Sequence, residues 1–196
     1  MSAELVSQTA QGAVLSVTSN VLAQVISSYK QRTPFSLNLA PVIKFAVFSI
    51  ISNPPNILWQ IFLEDIFPTN VQAPAPKSEK HNGKPTPARQ IKTQMSATNV
   101  FIKFVLDQTF GAVVNTLMFL IYMGYMNASP AGKQGPWDSI AKEIQEKFYP
   151  MIMDGYKVWP LFSLVSFLWI PVDKRVVVGC LVGVGWGIYL SLLVES

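Results

Sequence analysis

Cysteine, histidine and charge are all scarce in this chain of 196 residues, which holds one Cys, one His and only 13% Asp, Glu, Lys and Arg together. Each scarcity excludes something. With Cys180 alone no disulfide can close within the chain, and with His81 as the sole imidazole neither a zinc site nor a Ser/His/Asp triad can be assembled convincingly. Cys180 lies in an apolar, glycine-rich run and reads as a small buried side chain. Only Asp107 and a few peripheral carboxylates are left for acid and base work, so an enzyme is not expected, nor is any metal or cofactor. A soluble domain carries roughly 25% charged residues, and the shortfall points to a membrane as solvent.

Apolar residues, by contrast, are abundant. Half of the chain is hydrophobic and 12% is aromatic, with a mean hydropathy of +0.33. The formal charge of +4 sits in one place: between Ile66 and Thr98, Lys77, Lys80, Lys84, Arg89 and Lys92 stand against Glu79, and the remainder balances. No second basic face is left for a nucleic-acid footprint, so nucleic acid is not an expected partner.

A helix needs about 20 apolar residues to cross a hydrocarbon core of about 30 Å. Such runs occur at 10–29, 41–63, 98–126 and 176–194, and 156–170 offers a short or tilted fifth segment closed by Pro171. The fold expected is all-α: a single-domain integral membrane helical bundle of four transmembrane helices, that additional short segment, and an amphipathic interfacial helix at 137–149. In the amphipathic helix Trp137, Ile140, Ile144 and Phe148 recur at helical spacing between Lys142, Glu143, Glu146 and Lys147; both lipid and the bundle itself are open as its partner. The basic stretch 66–97, with Pro74, Pro76, Pro85 and Pro87, buries too little to offset its ordering entropy and reads as a flexible loop, cytosolic by the positive-inside rule. The first eight residues lack the positive region of a secretory signal and the arginine-rich helix of a transit peptide, and the chain does not close on Ser-Lys-Leu. Targeting information is therefore expected to be internal.

Within lipid the informative side chains are polar, because each must find a partner or line water. Gly12, Ser16, Asn20 and Gln24 form one stripe on the first span, open to reading as the wall of an aqueous path or as a tight helix seam. Asn53-Pro54-Pro55-Asn56 interrupts the second span, since two prolines remove two backbone donors; a kink is the expected result, with a polar constriction as the other reading. Lys103, Asp107, Gly111 and Asn115 share a stripe on the third span, with Gln108 beside them; Lys103, one turn before Asp107, is the ion-pair partner expected for that carboxylate. On the last span Gly179, Gly183 and Gly187 make a repeated GxxxG face for another helix or another copy of the chain.

The C-terminal quarter carries Trp159-Pro160, Phe167, Pro171, Arg175, Trp186 and Tyr189-Leu190-Ser191, and the third span carries Lys103 with Asp107-Gln108. These residues resemble the motifs of the family typified by the twenty-two-kilodalton peroxisomal membrane protein and the mitochondrial inner-membrane protein Mpv-seventeen. Asn20, Ser166, Ile57 and Gln60 depart from its usual Asp, Asn and His-x-Trp-Tyr pattern, and the basic insertion before Arg89 is also unusual. The resemblance implies a small multi-span organelle protein, associated in some members with weakly selective channels for small solutes and in others with mitochondrial homeostasis. Leu58-Trp59-Gln60 and the proline pair favour the peroxisomal branch, with the mitochondrial inner membrane as the alternative location.

Two functions follow as expectations. In a channel for small solutes, Asn20, Gln24, Asp107, Gln108 and Asn115 would offer hydrogen bonds to a hydrated solute, Lys103 would set the local field, and Arg175 would stand at the mouth or pair with an interfacial acid. In a membrane scaffold, the glycine face and basic loop would bind other proteins or anionic lipid. Expected partners are the lipid bilayer, small solutes, further copies of the chain and a peroxisomal import receptor.

Overall fold

The structure, a computed structural model, describes residues 2–72, 93–128 and 135–194, with side chains described up to Trp186. Within them the chain forms α1 (Ser2–Lys30), α2 (Leu39–Ile66), a ribbon of β1 (Asn70–Gln72) and β2 (Thr93–Met95), then α3 (Ala97–Leu106), a π-helical turn (Asp107–Gly111) and α4 (Ala112–Asn127) as one continuous helix, and finally α5 (Pro136–Gly155), α6 (Trp159–Trp169) and α7 (Val172–Val194). A helix stands at each expected segment; most extend past the apolar run that signalled them, α1 by eight residues at its start, whereas α6 is shorter than the expected 156–170.

Local chemistry sets the boundaries. Asn38 caps α2 by accepting from the Ala40 N–H at 3.1 Å, and Ser96 caps α3 by accepting from the Asn99 N–H at 3.3 Å. The α1–α2 turn needs a left-handed residue just after the helix, and Arg32 takes it at φ 52°. Gln24 then closes that turn with both ends of its amide, donating to the Asn38 carbonyl at 2.9 Å and accepting from the Asn38 N–H at 2.8 Å. Pro54 and Pro55 do not cut α2, which runs unbroken from Leu39 to Ile66; the donors they remove are those owed to Ile50 and Ile51, and helical dihedrals persist on both sides. The stretch expected as a flexible loop is ordered at its two ends, where Asn70, Val71 and Gln72 pair antiparallel with Met95, Gln94 and Thr93; its basic centre, 73–92, lies outside the described residues.

The helices pack so that α1 lies against α2 and α7, α2 also against α4 and α7, α3 against α6, and α4 against α5. At Gly124 a Cβ would stand 2.7 Å from the Ile140 Cα, a backbone atom that cannot swing aside, so only glycine lets α4 and α5 meet there. Ile140 is the buried side of the amphipathic helix, and Trp137 on the same helix is 79% exposed. Gly187 and Tyr189 fall on the backbone of α7, with side-chain surroundings outside the described residues.

The interior is inverted relative to a water-soluble protein. Among the described residues ten polar or charged side chains are buried against seven apolar ones, while Ile43, Val47, Ile50, Phe101, Val105, Phe110, Leu161 and Trp169 face outward. A soluble domain would place those the other way round. One helix among the described residues, Ala97–Asn127, is long and apolar enough by length and composition to cross a membrane.

Candidate functional site

Polar residues at helical spacing on three elements meet in the middle. On α2, Asn53, Asn56 and Gln60 fall at i, i+3 and i+7 and so share a face. On the continuous helix of α3, the π-helical turn and α4, Gln108, Gly111 and Asn115 do the same with Asp107 beside them, and α6 adds Ser163 and Ser166. Together with α5 and α7 they enclose a cavity of about 500 Å³. It extends along α2 from Phe48 to Gln60, twelve residues, or roughly 18 Å at the helical rise.

The cavity has two unlike ends. At one, Phe48 meets Phe119 edge-on with ring centroids 5.2 Å apart, and Trp186 lines the wall. Trp159 and Phe162 stand opposite Gly183 and Gly179, where added Cβ atoms would come within 3.8 and 3.4 Å of the rings. The expected GxxxG face thus looks into the cavity at Gly179 and Gly183. In the centre Asn56 and Asn115 exchange two amide hydrogen bonds, of 2.7 and 2.8 Å. Gln60, Asp107, Gln108, Ser163 and Arg175 form the polar end.

Asp107 is held by neutral donors alone. Its Oδ1 accepts from Gln60 at 3.0 Å and from the Trp59 indole at 3.3 Å; its Oδ2 accepts from Ser163 at 2.7 Å and from Gln108 at 3.2 Å. Gly111 leaves room for the indole, since a Cβ there would lie 3.0 Å from Trp59 Nε1. The π-helical turn begins at Asp107, with the Ala112 N–H reaching back to its carbonyl, and Tyr156 donates its hydroxyl to the Gln108 carbonyl at 2.9 Å. A turn widened in this way shifts side chains around the helix and is common at functional sites; here it brings Asp107 and the next residue, Gln108, to the same wall.

The ion pair expected between Lys103 and Asp107 does not form. Helical side chains lean toward the N-terminus of their helix, so Lys103 reaches away from Asp107 and donates instead to Glu64 Oε2 at 2.7 Å and to Thr69 Oγ1. Arg175 reaches the same Glu64 oxygen through Nη2 at 2.8 Å and gives Nε to the Ile170 carbonyl at 3.0 Å. Thr69 adds its backbone N–H to Glu64 Oε1 at 2.8 Å. Phe167 lies beneath both cations, 5.3 Å from the Lys103 ammonium and 5.1 Å from the Arg175 guanidinium. Lys103 is completely buried and lies outside the cavity lining, whereas Arg175, 5% exposed, belongs to that lining.

Of the other residues singled out in the sequence, Asn20 and Gln24 lie on the α1–α2 seam, where Gln24 donates to Asn20 at 3.0 Å, and neither lines the cavity. Gly12 gives space to Asn53 and Cys180. Pro160 stands in the first turn of α6, and Pro171 separates α6 from α7. Asn53, Asn56, Glu64, Ser163 and Ser166 were missing from the sequence reading as members of the site. The i, i+3, i+7 spacing of Asn53, Asn56 and Gln60 was the signal that could have found the α2 face, hidden by the proline pair between the first two. Glu64 follows Gln60 by one turn on the same face but lies one residue past the apolar run. Among the described residues no group of three His, Cys, Asp or Glu side chains is placed to hold a metal ion.

A helical protein with apolar side chains outside and charged pairs and amides inside is built for a lipid solvent. A profile of the Mpv17 / PMP22 family matches residues 132–191, which span the Trp159 to Ser191 motif. PXMP2/4 family protein 3 of Dictyostelium discoideum is 29% identical over 181 residues, 92% of this chain and 79% of that one. Peroxisomal membrane protein PMP22 of Arabidopsis thaliana is 25% identical over 54% of this chain and 53% of its own length. Mitochondrial inner membrane protein Mpv17 of Drosophila melanogaster is 23% identical over 56% of this chain and 61% of its own. The chain is thus similar to the Mpv17 / PMP22 family, whose matching relatives include peroxisomal and mitochondrial inner-membrane proteins. No solved structure matches it.

Proposed function

We propose that the protein forms a weakly selective channel through which small solutes diffuse across an organelle membrane, without covalent chemistry. In this reading α1, α2, the α3–α4 helix and α7 cross the bilayer as a four-span bundle, α6 is a short inner segment, and α5 lies at the interface. The observation that carries it is the central cavity, whose roughly 18 Å along α2 covers more than half of a hydrocarbon core of about 30 Å. Its wall offers amides, hydroxyls and the carboxylates of Asp107 and Asp154 to a solute leaving water. The peroxisomal membrane is favoured by the likeness to peroxisomal membrane protein PMP22; the mitochondrial inner membrane is the alternative, from the likeness to Mpv17.

The scaffold reading has less support, because Gly179 and Gly183 are turned toward Phe162 and Trp159 rather than outward. Reconstitution tests the channel directly. Purified protein in planar bilayers is expected to pass current, with Asp107→Asn altering the conductance, and liposomes holding it are expected to leak small neutral solutes. Silent bilayers together with tight liposomes would refute the channel.

A further inference from the structure

The polar end of the cavity holds a donor with nothing to donate to. Arg175 uses Nε on Ile170 and Nη2 on Glu64, and its Nη1 is buried without a partner. An unsatisfied, buried charged donor carries a desolvation penalty that a ligand would relieve. The buried amide oxygens of Gln60 and Gln108, Oε1 in each, are likewise without donors, and both residues line the same space.

The charges nearby decide which ligand fits. Glu64 is occupied, with both cations on Oε2 and the Thr69 N–H on Oε1. Asp107 is occupied by four neutral donors. A ligand cation could donate to the unpaired Gln60 and Gln108 oxygens only beside the like charge of the Arg175 guanidinium, while a ligand anion finds opposite charge and a free guanidinium nitrogen. The aromatic part of the lining, with Phe48, Phe119, Trp159, Phe162 and Trp186, suits an apolar body. A volume of about 500 Å³ is within the range of small-molecule sites, about 300 to 1,000 Å³.

From this geometry we infer that the cavity binds a small organic acid, with its carboxylate on Arg175 and its apolar body among the aromatic side chains, and with the Gln60 and Gln108 oxygens accepting from a hydroxyl of the ligand or from water carried with it. The inference rests on the cavity being the solute site, and it adds a substrate class to a path otherwise described only by size.

Hexanoate, hexanamide and hexylamine are matched probes of anion, neutral and cation. They would be titrated into the full chain in an uncharged detergent by calorimetry and by the fluorescence of Trp159 and Trp186. Hexanoate is expected to bind saturably, at least about tenfold tighter than hexanamide, as a hydrogen bond to a charged group warrants, with hexylamine weaker still. Arg175→Gln should erase the preference for hexanoate. Because Arg175 also holds Glu64, Gly183→Leu is the second variant: its side chain enters the cavity beside Trp159, leaves the charged cluster intact, and is expected to abolish binding at unchanged Tm. Equal binding of hexylamine and hexanoate, unaltered hexanoate binding in a folded Gly183→Leu protein, or no saturable signal would each overturn the inference. Leaky liposomes with no hexanoate binding would overturn it and leave the channel standing; hexanoate binding with tight liposomes would do the reverse.

Discussion

Glu64 and Asp107 are carboxylates a few turns apart in the same helical assembly, and the protein neutralises them in opposite ways. Glu64 is met by two full positive charges, one of them on a lysine with no exposed surface. Asp107 is met by an amide from each of two glutamines, an indole and a hydroxyl. The difference follows from what each must do. Away from the cavity, around Lys103, Coulomb attraction in a low dielectric fixes three elements, α2, α3 and α7, to one point. On the cavity wall, neutral dipoles hold the charge in place without cancelling it, so its field remains available to whatever enters.

The contrast can be broken most forcefully at Glu64. Glu64→Ala strands Lys103 and Arg175 without their shared anion, and removing one partner of a buried pair costs about 3–5 kcal/mol; a large fall in Tm in detergent is expected, and an unchanged Tm would show that the two cations do not depend on Glu64. Asp107→Ala should be milder, about 1–3 kcal/mol for unsatisfied donors, because water entering the cavity can take over its hydrogen bonds. If its loss equalled that of Glu64→Ala, the two carboxylates would not differ in kind. Ser163→Ala removes one of the four donors to Asp107 and is expected to cost about 0.5–1.5 kcal/mol, read as a small Tm shift. The smallest effect belongs to the triple replacement of Glu64, Lys103 and Arg175 by Met. Removing every member of a buried ionic group at similar volume is often neutral or stabilising, so its stability should return close to that of the unaltered chain, far above Glu64→Ala alone.

Much of the helical layout was legible because its cause is local. The runs at 10–29, 41–63, 98–126 and 176–194 correspond to α1, α2, α3–α4 and α7, and the periodicity of Trp137, Ile140, Ile144 and Phe148 marked α5. The site was legible on one helix only. Asp107, Gln108 and Asn115 announced themselves as polar residues inside an apolar run, but their partners did not. Asn56 was hidden in a proline-rich tetrapeptide that looked like a break, Ser163 and Ser166 are small and common, and Glu64 stood at the edge of the apolar run. The choice of Glu64 rather than Asp107 for Lys103 depended on the direction in which a helical side chain leans and on which helix lay there to receive it.

Composition and spacing by themselves determined that this chain would be helical, poor in reactive side chains and suited to lipid, since scarcity of charge and the length of apolar runs act residue by residue. Tertiary structure alone decided which polar groups would meet. Hydrogen bonds and ion pairs between helices join residues 29 to 127 positions apart, and nothing in the local sequence of either partner encodes the distance to the other. The unpaired Nη1 of Arg175 is of that second kind: it is left over where α2, the α3–α4 helix and α7 converge, beside the equally unpaired oxygens of Gln60 and Gln108.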